Sequence, residues 1–124
     1  MFIIEFLLLI FGMFQPFQES ELCLQIPEQG SPEYFKGLSG IESLENGKGM
    51  LFENNNAIWM KDMEIPLNFY FVNEKFEVLE KMTAYPCTKE PCEIYKVKEA
   101  NHVIETNISA EFKIGEKIKW RECK

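Results

Sequence analysis

The sequence predicts a mostly β fold, a small β-sandwich or partly closed barrel with one or two short helices. Two observations carry this expectation. About eight short strand-like segments alternate with Gly, Pro and Asn turn residues, and only one segment has clear helix start and stop signals. A third observation bounds the size. The 124 residues are 46% hydrophobic and 27% charged, which describes one globular domain and argues against disorder or a multi-span membrane protein.

The elements follow in order. Leu22–Ile26 alternates and reads as the first strand. Ser31 to Gly37 reads as a short helix: Ser31 caps, Pro32 suits the first position, Glu33 favours the dipole and Gly37 stops it. Gly37, Gly40, Gly47 and Gly49 then mark irregular backbone as far as Met50. Asn54-Asn55-Asn56 is a turn signal, so Met50–Phe52 and Ala57–Lys61 read as the arms of a hairpin. Phe69–Val72 is a continuous apolar run, expected to be buried on both faces. Asn73-Glu74-Lys75 turns into a strand over Phe76–Tyr85, with Phe76 and Val78 on one face. Ile94–Val97 and His102–Thr106 are further strands, and Ser109–Phe112 reads as one helical turn. Ile118 and Trp120 alternate with Lys117, Lys119 and Arg121, the pattern of a half-buried last strand.

Residues 1–20 form a separate segment. The apolar run Phe6–Phe14 is too short to span a bilayer, which needs about 20 residues, but fits the core of a signal peptide. It reads as a signal peptide or an N-terminal anchor, although no Lys or Arg precedes Lys36 and no A-x-A-like site follows. Residues 21–124 are then a single domain. Its four cysteines favour disulfides in an exported chain. Cys87 and Cys92 flank a short loop that closes locally. Cys23 and Cys123 lie at opposite ends and pair if the first and last strands are neighbours. The rival reading, zinc held by Cys87, Cys92, His102 and one more Cys, lacks a second close ligand pair. No metal or cofactor is expected.

Formal net charge is −7, and no Lys/Arg cluster is present, which argues against nucleic acid as a partner. Asp62, Arg121 and His102 are the only Asp, Arg and His, so a Ser-His-Asp triad has one choice for each of two members. No G-x-S-x-G, H-E-x-x-H, Walker-type or dinucleotide-binding motif occurs.

Gly37-Leu38-Ser39-Gly40, Leu44, Gly49-Met50-Leu51-Phe52, Trp59-Met60-Lys61-Asp62 with Ile65-Pro66-Leu67, the units Pro86-Cys87 and Pro91-Cys92, and Gly115-Glu116-Lys117-Ile118 occur in a distinctive order and spacing. With these motifs the chain resembles the bacterial and archaeal domain-of-unknown-function family numbered 192, over roughly residues 22–121. Ile41 and Asn68 stand where that pattern has a basic and an acidic residue. The resemblance implies a compact, jelly-roll-like β domain, often exported, and implies no reaction.

Trp59, Lys61 and Asp62 end a predicted strand and are the main candidate patch, with Trp59 stacking on a flat group and Lys61 meeting an anion. The plainer reading makes Trp59 a packing anchor and Lys61-Asp62 a polar strand end. Tyr85 and Tyr95 flank the cysteine loop and are candidates to line a shallow groove. Glu105 faces solvent if Ile104 faces the core; with the face reversed, it is a buried acid needing a partner such as Lys61. His102 reads as a solvated strand end. Three functions follow from these residues. The leading one is a non-catalytic binding or accessory module of the cell envelope, periplasmic, secreted or anchored. Its partner is a small ligand or envelope component, and it meets a membrane only through an uncleaved N-terminal segment. The second is an envelope hydrolase using Glu105 or Asp62 as general acid/base. The third is a structural protein anchored by residues 1–20.

Overall fold

The computed structural model describes residues 22–124, so the expected signal or anchor over residues 1–20 lies outside the described residues. Eight strands and one short helix run in the order β1 (Leu22–Gln25), α1 (Pro32–Lys36), β2 (Lys48–Phe52), β3 (Ala57–Trp59), β4 (Leu67–Val72), β5 (Val78–Ala84), β6 (Ile94–Lys96), β7 (His102–Thr106) and β8 (Trp120–Glu122). Six strands form one sheet in the order β5-β4-β7-β2-β1-β8, and β3 pairs with β6 in a separate antiparallel ribbon. The sheets do not close into a barrel, so the fold is a small, sandwich-like β domain. Among the described residues, no helix is long and apolar enough to cross a membrane.

The six-stranded sheet is covered on both faces. On one face Met50, Phe52, Phe69, Phe71 and Val103 meet Met60 and Met63, with Tyr34, Ile58 and Tyr95 packed against them. On the other, Leu24, Leu51, Tyr70, Val72 and Ile104 meet Ile118, with Phe76, Phe112 and Trp120 alongside. Every residue of β4 is buried, as its unbroken apolar run predicts. Ile118 is buried while Lys117, Lys119 and Arg121 are exposed, matching the expected alternation.

The expected hairpin of Met50–Phe52 with Ala57–Lys61 does not form. β2 lies between β1, parallel to it, and β7, antiparallel to it, whereas β3 pairs with β6. The physical reason is burial. Four of the five β2 residues are buried, so its backbone groups need a strand on each side. No residue of β3 is fully buried, which suits the outer ribbon. Gly49 also belongs to a regular strand. A Cβ there would collide with the Glu105 carbonyl and come within 3.1 Å of Leu24 Cδ2. Glycine is what lets β2 pass so close to β7. The helical turn expected at Ser109–Phe112 is replaced by a turn at Ile108–Ser109 and irregular chain after it. There Asn68 Nδ2 and the Tyr70 hydroxyl both donate to the Ala110 carbonyl at 2.8 Å. Bonds from the sheet side chains hold this segment open.

Both cysteine pairs form disulfides. Cys87–Cys92 closes the local loop, with Cα atoms 5.8 Å apart. Cys23–Cys123 joins the ends, with Cα atoms 4.9 Å apart, because β8 runs beside β1. Cys87 and Cys92, two of the ligands that the zinc alternative needs, are bonded to each other.

Candidate functional site

Helix α1 builds one wall of a cavity. The Ser31 hydroxyl accepts the Tyr34 N–H at 3.2 Å, Pro32 opens the helix and Gly37 closes it at φ +54°. These caps hold the Tyr34 ring edge-on to Phe52, with centroids 5.4 Å apart. A Cβ at Gly37 would lie 3.2 Å from the Phe52 ring, so the chain leaves the helix against that ring. Phe35, which follows Tyr34 in the helix, is 76% exposed and also lines the cavity.

The opposite wall is the end of β3 and the turn after it. Asp62 adopts a left-handed backbone, φ +61°. Its carbonyl accepts bonds from Ser39 Oγ (3.2 Å) and the Gly40 N–H (3.3 Å). From the other side, the Cys87 N–H donates to the Met60 carbonyl at 3.2 Å. The turn is therefore held between the glycine-rich loop and the disulfide loop. Lys61 Nζ lies 3.0 Å from Glu90 Oε1 in the disulfide loop and 5.2 Å from the centre of the Trp59 ring. The hydrogen bond to Glu90, and then its charge, raise the Lys61 pKa. Trp59 remains 47% exposed, so it is a surface aromatic and not a core anchor.

Glu105 belongs to the floor. It sits on β7 between Met50 of β2 and Phe69 of β4 and is only 3% exposed. The expectation that it faces solvent fails. Ile104 does face a core, but β7 is central and the sheet is covered on both faces, so its alternate residues are buried too. No side-chain hydrogen bond from the described residues reaches the carboxyl. Its residual exposure opens into a cavity of about 330 Å³ between the two walls. Burial pushes its pKa up to about 8, with no charged neighbour among the described residues offsetting the loss of water. Lys61, the partner expected for a buried Glu105, is engaged by Glu90 instead.

The structure thus brings Trp59, Lys61, Asp62 and Glu105 to one cavity. Tyr85 and Tyr95 do not line it. Tyr85 is 66% exposed beside the cysteine loop, and Tyr95 packs edge-on against Phe69 at 5.7 Å. Sequence reasoning missed Tyr34, Ser39 and Asn55 as lining residues, because they read as helix, glycine loop and turn. Burial raises the Tyr34 pKa, opposed by a hydrogen bond with Asn55. His102 is no loose strand end: its Nδ1 accepts the Asn54 N–H at 3.0 Å and its ring stacks on Phe76 at 5.1 Å. A second hollow, of about 340 Å³, lies around Asn68, Tyr70 and Thr83, but these groups bond each other and the backbone. Among the described residues, no group of three or more His, Cys, Asp or Glu side chains converges to hold a metal ion.

Comparison with known proteins places this geometry. The DUF192 family (Uncharacterized ACR) matches residues 19–120. No curated protein matches the chain. Two crystal structures are similar. One is a Novosphingobium aromaticivorans DSM 12444 protein of unknown function, at 25% identity and TM-score 0.53, over 68% of this chain and 60% of that one. The other is a Sinorhizobium meliloti 1021 protein whose suggested role is transcription regulator, at 22% identity and TM-score 0.53, over 68% of this chain and 65% of that one. The chain spans less than two thirds of the length of either structure.

Proposed function

We propose, from the premise that the chain belongs to the DUF192 family, that it is a non-catalytic binding module of the cell envelope whose ligand enters the Glu105 cavity. One observation carries the reading: a buried carboxyl without a hydrogen-bonding partner from the described side chains lies at the floor of an open cavity. Desolvating a carboxyl without a partner is costly, so such a group marks a site better than a packing position. The half-exposed Trp59 beside it offers a ring for an apolar or flat group and speaks against the purely structural alternative. The two disulfides support an oxidising compartment, and export is the reading that accommodates them. In the native host, intact mass before and after reduction will show loss of about 20 residues and four thiols hidden until reduction. An unprocessed chain with free thiols would overturn the export reading.

The binding reading is tested by a fragment screen on two-dimensional amide spectra. Hits will shift the signals of Ser39, Asn55 and Asp62, and Ser39→Phe, which fills the cavity, will abolish them while the remaining spectrum stays folded. Hits that ignore this substitution would sink the reading.

The hydrolase reading has one observation in its favour, the raised Glu105 pKa in a cavity that Asp62 also lines. It requires turnover of an envelope glycan or peptide that is lost in Glu105→Gln or in Asp62→Asn with folding intact. Absence of turnover in the wild type removes it.

A further inference from the structure

The geometry points to the class of ligand: we infer that the Glu105 cavity binds a small organic cation, a primary or secondary amine on an apolar body, whose ammonium pairs with the Glu105 carboxylate. This rests on the cavity being a binding site and adds what it binds. The titratable and charged groups lining the cavity with Glu105 are Tyr34 and Lys36 of α1, and Lys61 and Asp62 beside the turn after β3. Its neighbours in the sheet, Met50 and Phe69, carry no charge. Glu90 already engages Lys61 at 3.0 Å, and among the described residues no cationic side chain offsets the desolvation of Glu105. The carboxyl at the floor therefore lacks a counter-charge, which a ligand can supply.

Three features narrow the ligand. At the rim Lys36 and Lys61 offset Asp62, so the sign of the ligand is decided at the floor, where an ammonium stabilises the ionised carboxyl and an anion opposes it. A metal ion needs several convergent ligands, which are missing among the described residues. The lining mixes polar groups with apolar and aromatic side chains, among them Phe52, Met63 and Trp59, against which a hydrocarbon body behind the ammonium can pack. Trp59 already attracts one ammonium, that of Lys61, over its ring.

The proton balance is fixed by this arrangement. Burial holds the empty site's carboxyl protonated at neutral pH. When an alkylammonium ion enters, the carboxyl gives its proton to the buffer and the ion pair remains. Amine binding must then tighten about tenfold per pH unit between roughly pH 6 and 8, and level off above that.

The experiment uses the disulfide-intact protein and three probes of one shape: 3-phenylpropylammonium, 3-phenylpropanol and 3-phenylpropionate. Calorimetry in buffers of different ionisation enthalpy, with amide-shift mapping, reads affinity, proton release and site. The amine will bind at the cavity, release close to one proton at pH 6.5 and gain affinity with pH as stated. Glu105→Gln will weaken it at least tenfold at pH 8 and leave the alcohol within about twofold. If the alcohol binds as tightly as the amine, or the amine's affinity ignores pH, the cation assignment is overturned while the binding site stands. If none of the three shifts the cavity residues, both the assignment and the binding reading fall. The wild-type pH series decides the matter even if Glu105→Gln does not fold.

Discussion

Glu105 keeps its proton at neutral pH when folded, and this sets the pH dependence of stability. An unfolded Glu loses its proton near pH 4.5, whereas the folded one holds it to about pH 8. Between those values the native state binds more protons than the unfolded state, so stability falls as pH rises. Below about pH 4.5 both states are protonated, and the penalty vanishes. With each unit worth about 1.4 kcal/mol, the loss from pH 5 to 8 is on the order of 4 kcal/mol. Denaturant unfolding across pH 5 to 9 will show this decline in the wild type and a flatter profile in Glu105→Gln, which gains relative stability above pH 7. Equal slopes in the two proteins would mean that Glu105 is ionised in its cavity. The residue was visible in the sequence, but its burial was not. Alternation in Ile104-Glu105-Thr106 says that neighbours face opposite ways; it does not say that both sides are covered. Tyr34 and Asn55 were less visible still, since a helix residue and a turn residue meet only through the tertiary fold.

At the scale of elements, local chemistry predicted strands and the helix better than it predicted partners. Ser31, Pro32 and Gly37 specify α1 by themselves, and the helix is there with those caps. The β2–β3 hairpin failed because Asn54-Asn55-Asn56 marks a turn but does not say what its flanks pair with. Burial of β2 demands a strand on each side, and Gly49, whose missing Cβ admits β7, permits it. Gly49→Ala should cost on the order of 2–4 kcal/mol in chemical denaturation, since either the Glu105 carbonyl or the strand must move. A cost below about 0.5 kcal/mol would show that the two strands are not in close approach. Ser31→Ala should cost about 1 kcal/mol by loss of the cap. It should also broaden the Tyr34 and Ser39 amide signals, because the helix is a wall of the cavity; unchanged signals would separate the helix cap from the site.

Over the whole molecule, the two disulfides differ in reach. Cys23–Cys123 closes a separation of 100 residues, and Cys87–Cys92 one of 5. In the chain-entropy picture their removal costs roughly 4–5 and roughly 2 kcal/mol. Paired Cys→Ala variants at each site, compared by thermal unfolding, check this ranking; a reversed order would show that the short loop carries native contacts worth more than its entropy. Those contacts are on view, because the short loop holds Glu90 against Lys61 at the cavity rim. The sequence proposed both pairings, the end-to-end one conditional on the first and last strands being neighbours. It did not show that these strands run parallel. That arrangement also dictates when the domain can assemble during synthesis. The β1 strand borders β2 on one side and on the other waits for β8, which the ribosome makes about 100 residues later. Such a distant pairing leaves the growing chain with an open sheet edge until its last strand emerges. Closing that long loop is entropically slow, so this edge of the sheet is the last to be completed.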